Sequence, residues 1–136
     1  MNKRLLTSAL LASGLLLALS SRTAIAHHSF AAEFDGDKPI TLKGIVTRID
    51  WMNPHVWFYL NVKQEDGSTL RWGCEMGAPH QLQQRGWLRE TMKIGDEVTV
   101  MGSLARDGSK RANARLVTTA DGKTLGAASS GDRTPQ

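Results

Sequence analysis

The chain has 136 residues, 17 basic and 13 acidic, and a formal net charge of +4. This length is enough for one domain with a modest hydrophobic core, and no internal repeat or second domain is visible in the pattern. The single cysteine, Cys74, excludes an internal disulfide.

The first 26 residues have the pattern of a secretory signal peptide. Two basic residues precede an apolar run at 5–19, which is too short to span a bilayer comfortably, and residues 24–26 form the Ala-x-Ala type of cleavage site. An uncleaved membrane anchor is the alternative. We predict cleavage after Ala26, which makes the mature protein periplasmic or secreted and leaves it without a membrane attachment.

Cleavage would change the charge of the protein. Removing 26 of the 136 residues leaves 110, and three of the 17 basic residues are lost, so that 14 basic residues oppose 13 acidic ones. Near-neutral charge and export together argue against nucleic acid as a partner. The four histidines all remain in the mature chain: His27, His28, His55 and His80.

The body of the chain begins with a β-pattern. Residues 41–50 predict a strand, and Gly44 marks a bend or bulge because the apolar positions change parity around it. The Asn53-Pro54 pair predicts a turn after this strand.

Two alternating segments, 55–63 and 69–76, predict a hairpin. A three-residue loop at 65–67 with Gly67 left-handed places Val62 opposite Leu70, so that the apolar faces of both strands agree. The opposite face of this hairpin carries the polar and aromatic residues, which are His55, Trp57, Tyr59, Asn61, Arg71, Gly73 and Glu75.

The remaining segments are short. Pro79 and Gly86 bracket a predicted helix. Segment 94–106 predicts a strand after a turn at Gly95-Asp96, and segment 113–125 predicts a last strand that can extend as a hairpin at residues 121–122. Residues 126–136 lack apolar periodicity and predict a disordered tail.

Five strands with a helix between the third and fourth predict an all-β fold. Closing the strands into a Greek-key barrel removes the sheet edges and gives the OB (oligonucleotide/oligosaccharide-binding) arrangement. A β-sandwich or an SH3-like barrel is the alternative. The predicted organisation is a signal peptide at 1–26, an arm at 27–39, the OB-like barrel at 40–125 and the tail at 126–136.

Five short motifs carry a family resemblance: HHSF, NPHVW, RGW, GDEVTVMG and ANAR. In this order they resemble a family of small exported bacterial proteins catalogued as a domain of unknown function, from His27 to about Leu125. The resemblance implies export and a small β-fold, and it brings no established activity.

The histidines next to the predicted cleavage site suggest a metal centre. As the new terminal residue, His27 offers its α-amine and its imidazole as a chelate, and His55 is the predicted third ligand; such nitrogen-rich coordination suits Cu(II). His28 is a second ligand option and His80 a reserve. Zinc is less favoured because no Cys/His spacing is present. Weak, incidental copper binding by an exposed terminus is the alternative.

The outward hairpin face suggests a second kind of site. Trp57 and Tyr59 beside Gly73 would form a flat platform for a sugar, a ring or a peptide. The predicted ligand-binding face comprises Trp57, Tyr59, Asn61, Arg71 and Glu75. The alternative is that the arm covers the two rings with Phe30 and Phe34.

No catalytic motif is present, so we predict a binding protein rather than an enzyme, with a copper-dependent oxidative enzyme as the minority alternative. Cys74 and Met76 face the predicted core, where they pack; a Cu(I) thiolate–thioether site is the alternative. The sequence therefore predicts an exported protein that binds a transition metal such as copper, or alternatively a peptide, glycan or periplasmic partner protein.

Overall fold

The computed structural model describes residues 30–129. A helical turn at residues 30–33 precedes six strands and one helix. The elements are β1 (Phe34–Asp50), β2 (Trp57–Lys63), β3 (Thr69–Glu75), α1 (Pro79–Gln84), β4 (Glu97–Ala105), β5 (Arg111–Thr118) and β6 (Thr124–Gly126). Within residues 30–129 no helix is both long enough and apolar enough to cross a membrane. The predicted signal peptide, His27 and His28 lie outside the described residues.

The strands close into a barrel around β1. The long strand β1 pairs antiparallel with β2 and with β4, and Ile45 is the residue where it contacts both neighbours. The antiparallel pairs β2–β3 and β4–β5 continue the sheet, and a parallel β3–β5 pair closes it. With α1 between β3 and β4, this is the predicted OB-like barrel.

The β2–β3 hairpin has the predicted register. Val62 pairs with Leu70 and Phe58 with Cys74, and the loop at 65–67 ends on Gly67 at φ 84°. Because β-strand side chains alternate between faces, this register sends one apolar set inward. The buried members of that set are Phe58, Leu60, Val62, Trp72 and Cys74.

The irregularity in β1 is not at Gly44. The register of the β1–β2 pair shifts between Val46 and Arg48, while Leu42, Gly44 and Val46 all point inward. Gly44 has a different role: a Cβ there would lie 2.6 Å from the backbone oxygen of Asn61. The glycine allows two strand backbones to approach closely where β1 changes partner.

Strand β1 begins inside the predicted arm. Phe34 pairs with Ala105 and is 1% exposed, so the part of the arm from residue 34 to 39 belongs to the barrel. The register is irregular between Asp35 and Pro39. The charged stretch in this irregular region interrupts the apolar alternation. For that reason the strand predicted from the sequence begins at residue 41, later than the strand in the structure.

Helix α1 has the predicted ends. Pro79 is its first residue, and Gly86 follows it at φ 90°. Leu82 and Trp87 are fully buried in the barrel core.

Part of the predicted disordered tail is ordered. Residues 126–129 pack on the barrel, and three of the four are buried: Ala127, Ala128 and Ser129. These residues are held by hydrogen bonds, which a search for apolar periodicity in the sequence does not detect. The indole nitrogen of Trp87 donates to the Gly126 carbonyl at 2.9 Å, and the Ala127 carbonyl accepts from the Gly77 N–H at 2.8 Å. Prediction of disorder is therefore wrong for these four residues, and 130–136 lie outside the described residues.

Candidate functional site

An open groove of about 490 Å³ lies on the outward face of β2 and β3. Strand residues form its floor, and the loops before β2 and before β5 form its sides. The lining residues are Asp50, Met52, Trp57, Tyr59, Arg71, Gly73, Lys110 and Arg111. The volume falls within the range of small-ligand pockets, about 300–1,000 Å³.

Gly73 leaves room for the two aromatic rings above the floor. Tyr59 pairs with Gly73 across the hairpin. A Cβ at Gly73 would lie 3.4 Å from Cε1 of Tyr59 and 3.7 Å from Cζ3 of Trp57. Both rings therefore lie within van der Waals distance of this position. A side chain larger than that of glycine would occupy the space next to the rings.

Arginine side chains flank the Tyr59 ring. The guanidinium carbons of Arg48 and Arg71 lie 5.3 and 5.0 Å from its centroid, within the range of cation–π contacts. Arg48 also donates to Asp50 at 2.8 Å, which raises the pKa of the arginine. The contact places the guanidinium of Arg71 at the edge of the groove.

The predicted ligand-binding face divides in the structure. Trp57, Tyr59 and Arg71 line the groove, whereas Asn61 is exposed outside it and Glu75 is buried. Sequence reasoning did not assign to this face the residues that complete the groove, which are Asp50 at the end of β1, Met52 and Lys110 in the loops, and Arg111 at the start of β5. The signal for them was the OB topology itself, because the loops before β2 and before β5 border this face.

The described part of the arm does not cover the rings. Phe30 stacks on Phe34 with centroids 5.9 Å apart, and Phe34 is buried in the barrel. Neither residue lines the groove. The alternative that these two phenylalanines shield Trp57 and Tyr59 is therefore wrong.

His55 and Glu75 form a second cluster beside the groove. Nδ1 of His55 bonds to Oε1 of Glu75, and the side chains are 30% and 9% exposed. Burial raises the pKa of Glu75, the nearby carboxylate of Glu33 raises it further, and His55 opposes both effects. Asn113 bonds to Glu75 and also donates from Nδ2 to Ser129 Oγ at 3.0 Å. The Glu75 carboxyl group is thus bonded by both His55 and Asn113.

Of the three predicted metal ligands His27, His28 and His55, His55 is the one in the described part of the chain. Within residues 30–129, no group of three or more His, Cys, Asp and Glu side chains is arranged to hold a metal ion. His80, the reserve ligand, lies exposed on α1. Because Nδ1 of His55 is taken by Glu75, its other ring nitrogen, Nε2, is the atom that could bind a metal.

Cys74 lies in the core, as predicted. The side chain is fully buried beside the equally buried Met76, and burial raises the pKa of the thiol to about 12. A thiol is the form that persists at neutral pH under these conditions, and thiols are poor metal ligands and nucleophiles. Cys74 therefore acts as a packing residue of the core.

By its strand order the protein is a small OB-like barrel, with an open groove on the β2–β3 face. The chain belongs to a family of unknown function, DUF6152, whose model matches residues 15–114. No curated protein matches it. The similar solved structures include the mitochondrial single-stranded DNA-binding protein Rim1 of S. cerevisiae, which is 12% identical with a TM-score of 0.48; the match covers 60% of this chain and 92% of that one.

Proposed function

We propose that the protein is a binding module and that the groove on β2 and β3 is its ligand site. The observation that carries this proposal is the combination, in one concavity, of the Trp57 ring, the small floor residue Gly73 and the cationic side chain of Arg71. Ligand pockets typically combine a mostly apolar lining with a few placed polar groups.

The barrel keeps this arrangement rigid. Trp57 and Tyr59 belong to a strand that is paired on both sides, with β1 and with β3. The N–H of Gly73 donates to the Lys110 carbonyl at 2.9 Å and so ties the floor to the loop at 106–110. A ligand would therefore meet a largely preformed surface, which reduces the entropic cost of binding.

A substitution that fills the groove tests the proposal. Gly73→Leu adds bulk beneath the rings and leaves every charged residue in place. In a ¹H–¹⁵N spectrum of the purified protein, ring-containing fragments (sugars and aromatic acids) should shift the resonances of Trp57, Tyr59 and Gly73, and Gly73→Leu should abolish the corresponding shifts. Gly36→Leu, at an exposed glycine away from the groove, is the control. Shifts confined to another surface would overturn the proposal.

Copper binding is the second candidate function, and the His55–Glu75 pair favours it. A histidine that binds a metal usually bonds its other ring nitrogen to a carboxylate, which fixes the ring and raises its basicity. The partly exposed His55 has such a partner in the buried Glu75. We propose that His27, with its amine and imidazole, and His28 supply the remaining ligands after export and cleavage.

The position of Glu33 supports this candidate. Glu33 lies near enough to Glu75 to raise its pKa, and it bonds to Arg111 at 3.4 Å. Four residues lie between His28 and Glu33 in the sequence, and residues 30–33 form a helical turn. The predicted histidine ligands therefore directly precede, in the sequence, the turn that carries Glu33.

A native mass spectrum tests the copper candidate. Protein purified from the periplasm should have a mass that begins at His27 and should retain one Cu(II) ion against a mild chelator. A mass that begins elsewhere, or loss of the metal, would contradict this candidate and leave the groove proposal intact.

A further inference from the structure

The charges around the groove are unevenly matched. Three cations line it, and Asp50 is the one carboxylate among its lining residues. Asp50 is already bonded to Arg48, and Arg111 is bonded to Asp107 and Glu33. Among the described residues, no carboxylate forms a salt bridge with Arg71, whose guanidinium lies against the Tyr59 ring at the groove. The ammonium of Lys110 lies against Trp72, a ring of the inward-facing set, so within residues 30–129 Arg71 is the unpaired cation on the side of Trp57.

Such cations remain available to an anion. A guanidinium stacked on an aromatic ring keeps its N–H edge free to donate, and it pairs with carboxylates in a bidentate manner. The contact with the Tyr59 ring holds the Arg71 guanidinium at the groove, where it can donate to an anion.

Trp57 is the aromatic surface that remains free. Arg48 and Arg71 both lie against the ring of Tyr59. No stacking or cation–π contact of Trp57 occurs among residues 30–129, and its indole is half-buried at the groove. The groove therefore offers one stacking surface with cations close to it.

We propose that the groove binds an acidic oligosaccharide, with the apolar face of one sugar ring on Trp57 and a sugar carboxylate on Arg71. This inference rests on the proposed function of the groove and names its ligand class. The open shape of the groove lets neighbouring sugar units extend beyond the central ring. OB barrels are known to bind both oligosaccharides and oligonucleotides on this face.

Two observations favour an acidic sugar over a single-stranded nucleic acid. Nucleic-acid-binding OB folds stack successive bases on several aromatic side chains, and this groove has a single free ring. In the described residues, 13 basic side chains oppose 12 acidic ones, so the domain lacks the overall positive charge that polynucleotide binding requires. The local positive charge comes from the residues that line the groove, of which three are basic and one, Asp50, is acidic.

Binding measurements with three matched probes test this proposal. The probes are tetragalacturonate, the neutral galactotetraose and tetrathymidylate, each titrated into the purified protein by calorimetry and by ¹H–¹⁵N spectra. We expect tetragalacturonate to bind in the groove, galactotetraose to bind at least about tenfold more weakly because it lacks the charge-assisted bonds, and tetrathymidylate to bind more weakly than tetragalacturonate.

The variants separate the two contributions. Trp57→Ala should weaken tetragalacturonate binding about tenfold through the lost stacking surface. Arg71→Gln should weaken it by about the same factor and should bring the affinity close to that of the neutral sugar. Lys123→Gln, at an exposed cation outside the groove, is the matched control and should leave binding unchanged.

Each result decides between named alternatives. Equal binding of the charged and neutral sugars, or tighter binding of tetrathymidylate, would overturn the ligand class and leave the groove proposal standing. Absence of groove shifts with all three probes and with the fragments used for Gly73→Leu would overturn both. Unchanged tetragalacturonate affinity in Trp57→Ala and Arg71→Gln would show that the sugar binds elsewhere.

Discussion

Glu75 stands in register with Trp57, yet its carboxylate bonds to the imidazole of His55. One buried acidic side chain thus lies between the ring that lines the groove and the histidine that could bind a metal. The two candidate sites are neighbours on one face, and substitutions can separate them because Glu75 itself does not line the groove.

Glu75→Gln should weaken Cu(II) binding by roughly 10- to 100-fold, because the carboxylate that orients His55 is lost. Competition titration against a chelator measures the change. Glu97→Gln, at an exposed carboxylate paired with Lys43, is the control and should retain full affinity. Equal affinity of Glu75→Gln and the unmodified protein would remove Glu75 from the copper site.

One extra residue placed before His27 should abolish tight Cu(II) binding, because it converts the terminal amine into an amide that cannot chelate with the same imidazole. His80→Ala should bind copper with unchanged affinity. The same titration measures both proteins. Tight binding by the extended chain would contradict coordination through the terminal amine.

The stability contribution of Glu75 should depend on pH. Burial raises its pKa in the folded protein above the ordinary value of 4.5, so the folded state holds the proton more tightly than the unfolded state. This contribution is fully present below about pH 4.5 and is lost as the pH rises through the folded-state pKa. The Tm of the unmodified protein minus that of Glu75→Gln should therefore fall as the pH is raised above 4.5. A constant difference, measured by thermal unfolding at several pH values, would contradict the raised pKa.

Gly102→Ala should destabilise the barrel by about 3 kcal/mol, because overpacking at a site that cannot yield costs this much. A Cβ at Gly102 would lie 2.1 Å from the backbone oxygen of Asn113 on the neighbouring strand. Urea unfolding measures the loss. Gly36→Ala is the control, since the nearest atom there is the end of the Arg115 side chain at 3.6 Å. Similar free energies of unfolding for both variants would show that β4 and β5 can separate locally.

Cys74 should not react with a thiol reagent in the folded protein. Its pKa of about 12 leaves almost no thiolate at pH 8, and the side chain is inaccessible. A disulfide-exchange reagent should report no free thiol in buffer and one thiol in urea. Rapid reaction in buffer would indicate that the β3 region opens readily.

The sequence predicted the hairpin because its information is local. Alternation from Val56 to Val62, together with the Asp66-Gly67 turn, determines the register of β2 against β3 without reference to the rest of the chain. The closed barrel followed from the number of strands and from the position of α1.

The features that the sequence did not predict depend on distant pairings. The register shift near Thr47 and the close approach at Gly44 arise where β1 changes partner. The parity change in the sequence indicated an irregularity in this region but neither its position nor its cause. Glu75 meets Asn113 because β3 and β5 pair in parallel. In the same way, Lys110 and Arg111 reach the groove only because the barrel closes.

The ordered residues after β6 define where the folding unit ends. A fragment that stopped at Leu125 would leave the indole N–H of Trp87 without its acceptor and Asn113 without the Ser129 hydroxyl, both in buried surroundings. Unsatisfied buried donors of this kind cost about 1–3 kcal/mol each, a large share of the stability of a small domain. The smallest autonomous form of this barrel therefore includes Ser129, and its boundary is determined by backbone and hydroxyl partners rather than by the last large apolar side chain.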